Sequence, residues 1–451
     1  MQDSKPDNDI LLYFPIYDRF YEPTPKGLLQ HFDGVTPEFN NTDFKIIVQT
    51  MLDKGYSFDY ISDRQMANLT VNNKQIQTGG VAYKTILVSD NKTIPIETFE
   101  KLTQLAKAGA TIIFHNKFPK NVAGFGHFLE KEKRLKTITE GLVFTENKVL
   151  GTKETLIGNG KFIIGENLES ILSVATVQRE TMLDKGLKFV RKKYTKGNYY
   201  FVNNDSGKDF EGWVNLQTAF QSAALYNPMT GTLGMAKYSA KTQEVYLQMM
   251  AGESLIIQTN NALENGTIYP YFKTKGNPQE LTGTWKLTFT EGGETLPKTI
   301  ETNSLGSWTN TAGNDYQDFS GTAVYTHQFK NPNTSKTGYW IDLGKVAESA
   351  KVSVNSMVLG TLLGPTYRVF VPAKLLKSQN IITIEVVNSM ANRVIALEKK
   401  GVIWQKFYNI NVSARLKENL GKEDYFTTKN WQVRPSGLLD KIIFTAVEVA
   451  W

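Results

Sequence analysis

The sequence contains no cysteine, which excludes disulfide staples, cysteine-ligated zinc, iron–sulfur clusters and a thiol nucleophile. Histidine is scarce as well. His31, His115, His127 and His327 are the four, and none belongs to an HExxH or HxH pair, so a histidine-rich metal centre is not expected. A GxSxG elbow, a Walker A loop and a GxGxxG after the first strand are all missing, and Gly124-Phe125-Gly126 is an isolated GxG with little claim to be a phosphate cradle. No apolar run approaches the roughly 18 residues that span a bilayer; residues 10–17 and 442–451 are the longest. There is no block of five or six like charges, and 51 Lys+Arg against 44 Asp+Glu leave +7 over 451 residues. Neither nucleic acid nor membrane is implied as a partner. The opening MQDSKPDND is polar and lacks the apolar core of an export signal.

What is present is a globular composition: 41% hydrophobic, 21% charged and an aromatic share of 12%. At roughly 150 residues per domain the length suggests about three domains. Residues 9–16 (DILLYFPI) form a near-continuous apolar run, as in a strand buried on both faces. Asn41-Thr42 offer an N-cap, and Phe44, Ile47, Val48, Met51 and Leu52 recur at helical spacing until Gly55. Residues 56–61, 83–88, 110–114 and 162–164 read as further strands, with helices starting at Pro95 and spanning 128–138. Strand and helix alternating at this pitch predict a doubly wound parallel-sheet α/β domain over 9–182, flavodoxin- or amidotransferase-like in outline, although without cysteine it cannot work as a glutamine amidotransferase. Short alternating strands with Gly/Asn/Asp turns then predict a β-sandwich over 183–268. Residues 269–283, dotted with proline and glycine, read as a linker, and 284–451 is again all-β.

Candidate sites follow from position. In an open parallel sheet, ligands bind beyond the carboxyl ends of the strands. The first two strands run into Tyr17-Asp18-Arg19 and Ser62-Asp63-Arg64, and His31-Phe32-Asp33 lies in the loop after the first. Asp18, Arg19, His31, Asp63 and Arg64 therefore either cap and brace long loops or form a polar rim that meets a substrate or another domain. Asp59, inside the second strand, reads as a hydrogen-bonded structural carboxylate. In the last domain Trp308, Tyr316 and Tyr367 supply rings that can stack on a sugar, with Asn392 and Arg393 to take hydroxyls; the same rings also suit a sandwich core, Tyr325 among them. The stretch 388–393 reads as a turn. Asn314, Asp315 and Asp318 are oxygen donors close enough in sequence to hold calcium.

Several phrases carry a family resemblance: LLYFPIYD, GYSFDYISDRQ, YKTILV, LAKAGATIIF, SGTAVYTHQF, IDLGKVAESAKVSVN, LGTLLGPTYRVFVP and VVNSMANRV. Together they make the chain, from about residue 9 to 451, similar to the C-terminal half of glycoside hydrolase family 106, the α-L-rhamnosidase-type enzymes. The resemblance implies a galactose-binding-like jelly roll for 284–451, a secreted bacterial setting (periplasmic or extracellular), and plant or pectic polysaccharide as substrate. It also implies a (β/α)8 barrel preceding these domains that carries the two catalytic carboxylates, with calcium implicated. No such carboxylate pair is expected on this chain, so the reading is an accessory region that braces a catalytic barrel domain or chain and contacts carbohydrate. Two rival readings remain: a free-standing carbohydrate-binding protein, and a self-sufficient glycosidase with its site in the α/β crevice. The family pattern shows Asn-Gly where this chain has Asn355-Ser356.

Overall fold

Residues Ile10–Tyr13 (β1) read ILLY because both faces of the strand are covered. Leu11 and Tyr13 enter one apolar cluster and Ile10 and Leu12 another, the alternation that a period of two requires. The computed structural model describes residues 1–21, 37–293, 295–404, 416–421 and 426–450. They form mostly β-sheet with few helices, in two compact units: Met1–Met249 with Ser254–Tyr269, and Met250–Glu253 with Pro270–Trp451.

In the first unit β1 lies within a seven-stranded sheet. Its other strands are Phe58–Ile61 (β2), Thr85–Val88 (β3), Thr111–His115 (β4), Thr145–Asn147 (β5), Thr152–Ile157 (β6) and Gly160–Gly165 (β7). The spatial order is β5-β6-β7-β4-β3-β1-β2. Strands β7, β4, β3, β1 and β2 are mutually parallel, and β5 and β6 add an antiparallel margin. The chain leaves β1 for β2 on one side and returns to β3 on the other, so the strand order reverses at β1/β3, and a crevice opens at such a point.

Helices cover both faces. The short Ile16–Tyr21 (α1) follows β1. In Asp43–Lys54 (α2) the Thr42 hydroxyl accepts the Lys45 N–H at 3.3 Å, and Gly55 ends the helix at φ +86°. A Cβ there would stand 2.4 Å from the Glu180 carbonyl oxygen, so only glycine fits. Phe44, Ile47, Val48 and Met51 of α2 pack on Ile10, Leu12, Leu87 and Ile113 together with Leu168, Ile171 and Leu172, the latter three from Leu168–Val174, a helix C-terminal to β7. On the opposite face Ile96, Phe99, Leu102, Leu105 and Ala106 of Ile96–Lys107, with Leu135 of Phe128–Glu140, bury against Leu11, Ile86, Ile112, Phe114 and Phe162. Each large buried side chain contributes about 1.5–3 kcal/mol.

The rest of the first unit is antiparallel. Leu187–Tyr194, Gly197–Asn204, Ser254–Asn260, Ser222–Tyr226 and Leu233–Met235 form one sheet, joined at its edge by Lys5–Pro6 from the polar N-terminal segment. Phe210–Asn215, Glu244–Met249 and Tyr238–Ser239 form a second. In the other unit a six-stranded and a four-stranded antiparallel sheet enclose one core that includes Trp285, Leu287, Tyr325, Tyr339, Ile341, Val371, Ile384 and Phe444.

Two local expectations are corrected. Residues 269–283 are not a free linker: Phe272–Glu280 pair antiparallel with Ile443–Val449, and a register shift between Lys275 and Gln279 takes up Gly276 and Pro278. The stretch 388–393 is not simply a turn, since Ala391–Lys399 is a helix.

Candidate functional site

The loops after β1 and β3 and the N-terminal end of α2 enclose a cleft of about 260 Å³, at the carboxyl ends of the strands where their order reverses. Pro15, Phe39 and Phe44 supply its apolar surface. Its polar lining consists of Asp18, Asn41, Thr42, Asp43, Ser89, Asp90, Asn91 and Lys92. Local chemistry explains each placement. Asp18, in the first turn of α1, accepts the backbone N–H groups of Lys92 and Thr93, both at 2.7 Å, and so fastens α1 to the loop after β3. Asp43 opens α2 beside its positive end and accepts the Asp90 N–H at 2.6 Å. Ser89 donates its hydroxyl to the Asn91 side-chain oxygen at 2.6 Å.

Behind Asp43 stands His115, at the end of β4. Its Nδ1 lies 2.9 Å from one Asp43 oxygen and 3.0 Å from the other, and its Nε2 lies 2.8 Å from the Glu166 carbonyl. A carboxylate and a carbonyl only accept, so both ring nitrogens must carry protons for both bonds to form, and the ring is then an imidazolium. Burial works against that charge, but the hydrogen bond and the charge of Asp43 outweigh it, helped by the Glu166 carbonyl and Asp90, and the pKa of His115 is raised. Asp90 pairs with Lys117 at 3.0 Å. Every carboxylate in the cleft is therefore held by N–H donors of the protein.

Of the rim read from the sequence, Asp18 joins the cleft. Arg19 falls within α1, and His31 lies outside the described residues. Asp63 heads Asp63–Met66 (N-cap Ser62 with a Gln65 capping box) and accepts the hydroxyls of Tyr13 at 2.8 Å and Thr98 at 2.5 Å; it ties β1 to the helix Ile96–Lys107 and does not line the cleft. Burial, and then the Asp63 charge, push the Tyr13 phenol far up. Arg64 is exposed. Asp59 accepts the Tyr83 hydroxyl at 2.8 Å, a bracing role. Asp43, Asp90, Asn91 and His115 went unmarked as site residues. The signal was available: Ser89-Asp90-Asn91 follow the third strand just as Asp18 follows the first.

In the second unit two of the stacking candidates, Trp308 and Tyr367, are corrected. Trp308 is 2% exposed and packs edge-on against Phe289, 5.6 Å between centroids; a ring enclosed in this way presents no face to a sugar. Tyr367 is also buried and donates its hydroxyl to the Glu348 carbonyl. Asn392 is consumed by the backbone of Arg434, donating to its carbonyl at 2.9 Å and accepting its N–H at 2.8 Å. Tyr316 and Arg393 are half-buried. Of the proposed calcium donors, Asn314 and Asp315 begin a one-turn helix, and Asp318 pairs with Lys400 at 3.4 Å. Among the described residues no group of three or more His, Cys, Asp or Glu is placed to hold a metal ion, and no helix is long and apolar enough to cross a membrane.

A β-rich, multidomain chain with these features is glycoside hydrolase-like. The model of glycoside hydrolase family 106, described as alpha-L-rhamnosidase, matches residues 36–240. The fold over 99% of the chain is that of 39% of the rhamnosidase from Novosphingobium sp. PP1Y, at a TM-score of 0.68 and 21% identity. A curated relative from Formosa agariphila, named "Putative beta-glucuronidase", is 32% identical over 227 residues, covering 47% of this chain and 19% of its own. The chain thus spans well under half the length of either relative.

Proposed function

We propose that this chain is the accessory region of a rhamnosidase-type glycoside hydrolase, bracing a catalytic barrel carried by another domain or chain and contacting carbohydrate, with plant or pectic polysaccharide as the substrate and a periplasmic or extracellular setting. In this reading residues 9–182 form a flavodoxin-like domain, 183–268 a β-sandwich and 284–451 a galactose-binding-like jelly roll. The observation that carries it is the likeness of almost the whole chain to 39% of a rhamnosidase, together with sheets that, among the described residues, include no eight-stranded parallel barrel. The cleft supports the same reading. Glycoside hydrolysis needs one carboxyl group that holds a proton to donate and a second about 5–10 Å away. Asp18, Asp43 and Asp90 are instead tied to N–H groups of the protein, which uses them as braces between the loops.

The test is turnover of aryl α-L-rhamnosides and aryl β-D-glucuronides by the purified chain. No turnover is expected, and none should be affected by an Asp43→Asn, Asp90→Asn double variant. Turnover that the double variant abolishes would replace this reading with that of a self-sufficient glycosidase.

A further inference from the structure

Asn91 separates the cleft from an ordinary cluster of loop caps. It is 1% exposed, it lines the cleft, and its side-chain Nδ2 has no hydrogen-bond partner. Its oxygen is occupied by the Ser89 hydroxyl, which fixes the amide with its two N–H donors turned away from Ser89. A buried donor left without an acceptor costs about 1–3 kcal/mol, and native proteins keep few such groups unless something else supplies the acceptor.

We infer that the cleft between the β1 and β3 loops is a binding site for one neutral, hydroxyl-rich ring of monosaccharide size, with the Asn91 amide as its buried donor and the Asp18, Asp43 and Asp90 carboxylates as acceptors of the ring hydroxyls. The lining decides the class. Among the described residues three carboxylates and one cation, Lys92, line the cleft, so a phosphate or uronate placed there meets carboxylate oxygens directly. Behind the lining, His115 and Lys117 pair with Asp43 and Asp90, and among the described residues no group of three or more His, Cys, Asp or Glu is placed to hold a metal ion. Carboxylate oxygens keep lone pairs for O–H donors even while they accept N–H groups. Phe39, half-buried at the edge of the cleft, gives an apolar surface against which the C–H side of a pyranose can rest. A volume of about 260 Å³ falls just below the roughly 300–1,000 Å³ of clefts for drug-sized ligands, which suits one ring rather than a chain. The site deepens the carbohydrate part of the accessory reading, but it is tested by binding, whereas that reading is tested by turnover, so either can fail alone.

The full chain is titrated by calorimetry and saturation-transfer NMR with methyl α-L-rhamnopyranoside, methyl β-D-galactopyranoside, sodium D-glucuronate, sodium phosphate and calcium chloride. At least one neutral glycoside is expected to bind, and glucuronate and phosphate are not. Asn91→Asp keeps the acceptor for Ser89 but replaces the buried donor with an anion, and should weaken glycoside binding about tenfold or more. Ser89→Ala, which frees the amide to turn, should weaken it less. Thermal melts and circular dichroism establish that each variant folds; should Asn91→Asp fail to fold, Ser89→Ala decides. Absence of binding by both glycosides, preference for glucuronate, phosphate or calcium, or unchanged affinity in the folded variants would overturn the assignment.

Discussion

Two places in the first unit gather aspartates around cations, and they use the same chemistry in opposite solvents. In the cleft, Asp18, Asp43 and Asp90 stand partly in water, with Lys92 exposed and Lys117 55% exposed. The other cluster is enclosed. Arg191, on Leu187–Tyr194, is 4% exposed and reaches Asp7 at 2.9 Å, Asp9 at 3.1 Å and Glu180 at 3.1 Å. Glu180 also accepts the Tyr200 hydroxyl at 3.0 Å and the Gln217 N–H at 3.2 Å. Arg191 thereby ties the N-terminal segment and the residues after the parallel sheet to the antiparallel sheet. The comparison teaches that a charge cluster is read by its surroundings. In the core every charge needs its partners to exist at all, whereas at a strand end the same groups keep lone pairs and space for a ligand.

The largest expected effect comes from breaking the enclosed cluster. Arg191→Met conserves much of the apolar stem but leaves Glu180 buried without its cation and Asp9 with Lys84 alone, which should cost about 3–5 kcal/mol. Glu180→Gln keeps an acceptor and should cost less. Burial holds the Glu180 carboxyl above the ordinary range against the pull of Arg191, so part of the Arg191→Met loss should be recovered in acid, where Glu180 is neutral. Urea denaturation, with amide exchange followed in residues 187–204, measures both. A loss for Arg191→Met within about 1 kcal/mol, the value of an exposed pair, would erase the contrast.

How much of this was legible in sequence follows the range of the interactions. The β1 apolar run, the Thr42 cap and the Gly55 stop of α2 are local signals, and each appears in the fold. The rule that strand ends make crevices led to Asp18. Applied to only two strands, it missed the loop after β3, and Asp63 turned out to brace Tyr13 and Thr98 instead. Long-range pairing was hidden. Phe272–Glu280 carries Gly276 and Pro278 and little alternation, and becomes a strand because Ile443–Val449 lies beside it. Trp308 shows the same limit in a side chain, since a tryptophan near turns fits a sugar platform or a core equally well until Phe289 and Phe319 are known to enclose it. At Asn355-Ser356 a two-residue turn survives without glycine, at φ +50° and +68°, because the Asn355 amide donates to the Leu375 carbonyl and to Asn380.

A smaller effect sharpens the comparison from the side of the cleft. The pKa of His115 is raised in the folded state, so the ring binds its proton more tightly there than when unfolded. Its contribution to stability is complete below the unfolded value of about 6.5 and is lost as pH rises through the folded value. Unfolding free energy measured from about pH 6 to about pH 9 should therefore decline in the native protein more than in His115→Gln, which cannot take a charge. Parallel profiles for the two proteins would show that the imidazolium–Asp43 pair is not formed.

The smallest effect belongs to Lys117. Its ammonium lies 3.0 Å from an Asp90 carboxylate that is 20% exposed, a separation as short as those around Arg191, and a count of ion pairs would rank the two alike. Water decides otherwise: an exposed pair gains little over its hydrated partners and must order a long side chain, for a net of about 0.2–1 kcal/mol. Lys117→Ala should accordingly shift the urea midpoint only slightly, and salt should shrink that shift further. Because the same change leaves the cleft more negative, it should disfavour anions there while leaving a neutral glycoside nearly unaffected. A loss approaching that of Arg191→Met would mean that Asp90 is effectively desolvated, and the strand-end carboxylates would then have to be regrouped with the core cluster rather than set against it.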